Sequence, residues 1–178
     1  MPQILEAPHR LSAQRQVSRE YVRETLSIYR SESILVDTAV WDGSTLSAIL
    51  VAHEYPFTRP GLVTYLTATM ANLYASQLAY IIGRLLIEDS ERHLGSTSPL
   101  TKEDFFVARD CGALRIVDVQ FRCRRPIPLV PFSATVTCIR VRGHDGQLFA
   151  MLDHEYGARA FVGRTTVVIP RHDSALRA

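Results

Sequence analysis

Four residues of this chain, Tyr65, Thr69, Asn72 and Ser76, are spaced by four, three and four positions in a run, Gly61 to Gly83, that holds no charge. In a helix that spacing stacks them on one face of an otherwise apolar cylinder, so something polar has to meet them. Two readings are open. In one, the Thr and Ser hydroxyls bond back to carbonyls a turn earlier and Asn72 satisfies a sheet edge. In the other, the four form a polar track at the mouth of a pocket. The stripe begins at a helix N-terminus, where free N–H groups and the positive end of the dipole can hold a carbonyl and stabilise the oxyanion or enolate formed from it. The preceding loop, Pro56 to Thr64, carries Arg59, either a surface side chain or a partner for a carboxylate or phosphate.

Other candidates are weaker. His53 and Glu54 could form an acid and base pair, yet they stand where a strand ends. His154 lies beside Asp153 and Glu155 without a metal-ligand spacing partner. Asp37 and Asp118 fall within strands, where a cross-strand Arg such as Arg122, Arg140 or Arg142 accounts for them. Arg122, Arg124, Arg125, Arg140 and Arg142 make either a charged outward face or a seat for a phosphate or an acidic protein. No GxSxG elbow or Walker loop occurs, which removes serine-hydrolase and P-loop chemistry. No Asp or Glu stands between Tyr55 and Ile87, so chemistry there must use hydroxyls, water and helix-end amides.

These residues need elements to position them. Ser18 caps a first helix over Arg19 to Tyr29. Two β-branched runs, 34–41 and 46–52, are joined by Asp42-Gly43-Ser44, a hairpin signal. The uncharged helix follows over about Tyr65 to Ile87, then a short one at Lys102 to Arg109 with Thr101 as cap. Four strands follow: Leu114 to Arg124, Phe132 to Arg142, Gln147 to His154 and Ala160 to Ile169. In the first of these, Val117, Val119, Phe121 and Cys123 share a face. Residues 1–17 and 171–178 read as flexible ends around one domain, 18–170.

The composition agrees with one enclosed core. Of 178 residues 47% are hydrophobic, enough for a domain of this size. The formal charge of +2, with Lys102 the only lysine, lacks the clustered excess of a nucleic-acid binder. Six polar side chains, Thr64, Thr67, Thr69, Asn72, Ser76 and Gln77, interrupt the uncharged run, so a helix wrapped by its own protein is expected rather than a membrane span. Cys111, Cys123 and Cys138 show no CxxC spacing; with no signal peptide apparent, reduced thiols and a cytoplasmic location are expected. Strands gathered around one long apolar helix describe an α+β hotdog fold, a curved antiparallel sheet wrapped around a central helix.

The residues also resemble the FcoT-type long-chain acyl thioesterases and related thioesterase-like enzymes that add glycine to an enoyl thioester. Similar pieces, in order, are Thr25-Leu26-Ser27-Ile28-Tyr29, Gln77-Leu78-Ala79-Tyr80, Phe121-Arg122 through Pro126 to Pro131-Phe132-Ser133-Ala134, and Val168-Ile169-Pro170. The resemblance implies an acyl-CoA or acyl-carrier-protein thioester as substrate, in fatty-acid or polyketide-type biosynthesis. No cofactor or metal is expected, and the hotdog fold implies by analogy a homo-oligomer with sites where subunits meet. Tyr29 stands at the family's pocket tyrosine. The family's loop Tyr, a His six residues on and an Asn two further appear as Arg59, Tyr65 and Thr67; a second Asn, on the helix, appears as Ser76. With the His replaced, Tyr65 becomes the expected general acid or hydrogen-bond donor, supported by Thr67 and Ser76. Tyr29, Arg59, Thr69 and Asn72 are expected to contact substrate. The alternative is a module that binds acyl chains or a carrier protein without catalysis.

Overall fold

A computed structural model of the chain describes residues 3–5, 14–52, 61, 64–94, 98 and 100–171. In order they form β1 (Gln3–Leu5), β2 (Arg15–Val17), α1 (Arg19–Thr25), a 3-10 turn (Ser31–Ser33), β3 (Val36–Trp41), β4 (Thr45–Leu50), α2 (Ala68–Leu94), α3 (Lys102–Asp110), β5 (Arg115–Cys123), β6 (Phe132–His144), β7 (Gln147–Tyr156) and β8 (Phe161–Pro170). The strands make one antiparallel sheet in the order β2-β3-β4-β6-β7-β8-β5. β1 pairs with the far end of β6, beyond the stretch that β4 occupies.

Strand alternation decides which face meets the helix. Leu148, Ala150, Leu152, His154 and Tyr156 of β7 are buried, while the residues between them are half-exposed. Leu46, Ala48 and Leu50 of β4 repeat the pattern. Against this inner face lies α2, in which every residue from Gln77 to Ile87 is buried. Burying a side chain such as Leu78, Ile81, Ile82 or Leu85 is worth roughly 1.5–3 kcal/mol each, so the helix is held by its surroundings on all sides at this level. No helix among the described residues is long and apolar enough to cross a membrane.

Several boundaries differ from expectation. β1 and β2 lie within the supposed arm, 1–17, and are paired into the sheet. Arg171 donates its N–H to the Gly146 carbonyl at 2.8 Å, and the tail beyond it lies outside the described residues. α1 stops at Thr25 rather than Tyr29, because Arg109 of α3 takes the carbonyls of Glu24 and Thr25 that a further turn would use. α2 begins at Ala68, not Tyr65, and continues past Ile87 to Leu94. Its last turns survive their charges because Arg84 pairs with Glu88 at 2.8 Å, Arg92 pairs with Asp89 at 3.2 Å, and Trp41 donates Nε1–H to Asp89 at 2.6 Å. α3 carries the expected cap as a full capping box, Thr101 with Asp104.

Candidate active site

The amino end of α2 is built by a chain crossing. Leu66 donates its N–H to the Ile127 carbonyl at 2.7 Å, Leu129 donates to the Thr64 carbonyl at 3.1 Å, and Tyr65 forms an isolated bridge with Pro128. Residues 64–66 are therefore extended, and the helix cannot start before Thr67. The Thr67 carbonyl accepts the Ala71 N–H at 2.9 Å, and its Oγ1 stands 3.5 Å from the Met70 N–H, an N-cap position. The N–H groups of Ala68 and Thr69 have no partner among the described residues. Tyr65 is 51% exposed beside this end.

Thr69 and Asn72 are exposed, Ser76 is half-buried and Tyr80 is buried, so the stripe starts in solvent and dips into the protein one turn beyond Ser76. Tyr29 meets it there, its ring edge-on to Tyr80 at 6.3 Å. Burial pushes the Tyr29 phenol up to about 12, with the Tyr80 phenol adding to the effect. The Ser76 hydroxyl donates to the Asn72 carbonyl at 2.9 Å, the bond back to the preceding turn. At 1.5 Å of rise per residue, Thr69 and Ser76 are about 10 Å apart along the axis and Thr69 and Tyr80 about 16 Å. One reacting carbonyl cannot touch both ends. The track has the length of a chain.

Arg59, His53 and Glu54 lie outside the described residues. Asp37 pairs with Arg19 at 2.6 Å rather than with any of the strand arginines expected, because α1 runs past the start of β3. Asp118 takes a 3.4 Å contact from Gln120. The acids of α2, Glu88, Asp89 and Glu91, stand twenty or more residues beyond its start, about 30 Å along the axis.

Three features emerge only in the folded chain, though His154 and the strand arginines had been weighed in the sequence. His154, 1% exposed, bonds Tyr156 Oη at 3.0 Å and Thr165 Oγ1 at 2.8 Å, and burial lowers its pKa from 6.5 to about 4. Arg84, 3% exposed, bonds Glu24, Glu88 and Thr25 and lies 3.8 Å over the Tyr21 ring. A cavity of about 440 Å³ opens over the ends of β5, β7 and β8. Of the five strand arginines weighed as a seat for a phosphate or an acidic protein, Arg122 and Arg124 line it, together with Asp153, His154 and Glu155.

A curved antiparallel sheet around one central helix defines the hotdog class. No protein-family model matches the sequence, and no curated protein matches it. Solved structures do match. A thioesterase from Haemophilus influenzae superposes with a TM-score of 0.53 at 14% identity, covering 90% of this chain and 94% of its own. A mutant thioesterase from Pseudomonas aeruginosa gives 0.51 at 14% identity, covering 89% and 99%. These likenesses establish the fold, as expected from the order of elements.

Proposed function

We propose that this chain is an enzyme acting on an acyl-CoA or acyl-carrier-protein thioester, by hydrolysis or by addition to or elimination from an enoyl thioester. The observation that carries the reading is the exposed Tyr65 beside the Ala68 and Thr69 N–H groups, which have no partner among the described residues. The thioester carbonyl accepts from those amides, which stabilise the oxyanion or enolate as charge develops. Tyr65 donates or relays the proton, and Thr67 fixes the helix start. The acyl chain runs along Thr69, Asn72 and Ser76 toward Tyr29 and Tyr80. Arg59 recognises a polar co-substrate or a carboxylate on the substrate.

The same proposal includes a homodimer in the cytoplasm, serving fatty-acid or polyketide-type biosynthesis. Nothing among the described residues pairs with the outer edge of the nine-residue β5, where Val117 is 57% and Val119 41% exposed. Such an edge is a template for pairing, and a second copy offers the matching strand. A panel of saturated and 2-enoyl thioesters of graded length, incubated with the protein with and without glycine, tests the reading. Consumption of one of them is expected. The non-catalytic alternative, favoured by Tyr65 standing where the resembled family has its histidine, predicts saturable binding with every thioester recovered.

A further inference from the structure

The cavity over β5, β7 and β8 is a basic one. Its lining includes Arg122 and Arg124 at the end of β5, Arg159 in the β7–β8 turn, Arg164 of β8, and the two acids Asp153 and Glu155. In the register of the sheet, Asp153 opposes Arg164, Arg164 opposes Gln120, and Val162 opposes both Glu155 and Arg122. These residues alternate with the inward Phe121, His154 and Gly163, so they belong to the face turned away from α2. Arg164 takes both Asp153 oxygens, at 2.7 and 3.2 Å, and Arg159 holds Glu155 at 3.3 Å. Arg122 and Arg124 have no acidic partner among the described residues, which leaves the cavity with two positive charges to spare.

The backbone points the same way. The β7–β8 turn closes with Ala160 N–H on the Gly157 carbonyl at 3.2 Å, and its central residues, Ala158 and Arg159, have φ of 51° and 66°. Asn-Gly suits such a pair and Ala-Arg does not, so a non-glycine residue is held in a disfavoured conformation where its guanidinium joins the cavity. The turn is also fastened to the candidate active site. Arg125 donates to the Gly157 and Ala158 carbonyls at 3.4 and 3.0 Å, and Ile127 packs against Gly157 while its carbonyl accepts from Leu66. Pro128, the bridge partner of Tyr65, is four steps along the chain from Arg124, a span of at most about 14 Å.

Resting on the thioester reading, we propose that this cavity holds a phosphate of the phosphopantetheine arm that carries the acyl group, with Arg122 and Arg124 as its principal ligands and Arg159 joining them. Guanidinium forks suit phosphate oxygens, and the exposed Arg159–Glu155 pair gives up little when it opens. The pantetheine then passes the 124–128 segment to reach the amino end of α2. CoA and a holo carrier protein present the same group.

Calorimetric titration with CoA, with phosphate-free pantetheine, and with holo and apo acyl carrier protein tests this in the wild-type chain and in an Arg122→Gln/Arg124→Gln variant. The expected result is that CoA or the holo carrier binds more tightly than its phosphate-free counterpart, and that the variant weakens this binding at least tenfold with its melting temperature unchanged. Whichever arm responds identifies the source of the phosphate. Equal affinity in wild type and variant overturns the proposal, as does a wild type that favours neither phosphorylated ligand. Arginine-dependent binding without turnover of any thioester keeps this site and removes the enzymatic reading; turnover with arginine-independent binding does the reverse.

Discussion

The Ile127 side chain closes over Gly157 so tightly that a Cβ at Gly157 would lie 2.7 Å from Ile127 Cδ1. Because the Ile127 carbonyl also receives the Leu66 N–H, the β7–β8 turn and the start of α2 are fastened through one residue.

Gly157→Ala is expected to cost about 1–3 kcal/mol, since the new methyl group meets Ile127 at a backbone φ of 56° that favours glycine. Gly163→Ala is expected to be worse: its Cβ would run into the Phe121 ring and the Gln120 carbonyl, and the carbonyl cannot swing away. Urea unfolding of both variants ranks them; equal or reversed losses would contradict the packing described.

Arg84 joins α1 to α2, bonding Glu24 at 2.7 Å, Glu88 at 2.8 Å and Thr25 at 2.9 Å. Arg84→Met leaves the half-buried Glu88 with Arg15, at 3.3 Å, as its cationic partner among the described residues, and is expected to cost about 3–5 kcal/mol. Adding Glu88→Gln should recover part of the loss, because the abandoned charge is then gone. A double variant no more stable than the single one would assign the cost to packing alone.

Acid should destabilise the fold in two stages. Burial lowers the His154 pKa from 6.5 to about 4, so as pH falls the unfolded chain takes up the proton first. Stability is whole above 6.5, declines between 6.5 and 4, and levels off below, a loss of about 3 kcal/mol in all. The Arg84 hydrogen bond holds the Glu24 carboxyl below 4.5, so its contribution is present above 4.5 and is lost only at lower pH. Unfolding free energies from pH 7.5 to 4 for wild type and His154→Leu separate the stages. The variant should be less stable at neutral pH, because Tyr156 and Thr165 lose their partner, yet flat across the first window. A slope that persists in it would place the titrating group elsewhere.

Light scattering should find the protein at twice its 20.0 kDa chain mass. Val119→Lys puts a charge on the exposed edge of β5 and is expected to give monomers with little change in melting temperature. A monomeric wild type, or a dimeric variant, would move the contact away from this edge.

Strands β3 to β8 were legible because alternation of side chains is local: Phe132 to Cys138 alternates cleanly, and only the register shift between Cys138 and Arg140, set by pairing with β7, went unannounced. The three-residue strands β1 and β2 are too short for any period and exist because β6 and β3 offer them an edge. The ends of α2 were misplaced for tertiary reasons. Tyr65 is drawn out of the helix by Pro128, and Glu88 to Leu94 are kept in it by Arg84, Arg92 and Trp41. Of the four-residue stripe expected from spacing, Thr69, Asn72 and Ser76 lie on α2, whereas Tyr65, at its head, stands outside the helix. That Tyr29 would meet it at Tyr80, or that Arg159 would join Arg122 and Arg124, depends on chain crossings no spacing encodes.

Thioester chemistry at Tyr65 is the central claim, and the rate of thioester consumption by wild type and Tyr65→Phe, each at saturating substrate, tests it most directly. Because Tyr65 is exposed and its bridge to Pro128 uses the backbone, the variant should melt where the wild type does. Its kcat should fall about 10²–10⁴-fold, the worth of a positioned proton donor. A Tyr65→Phe protein as fast as wild type, or a wild type that returns every thioester intact, would contradict the account.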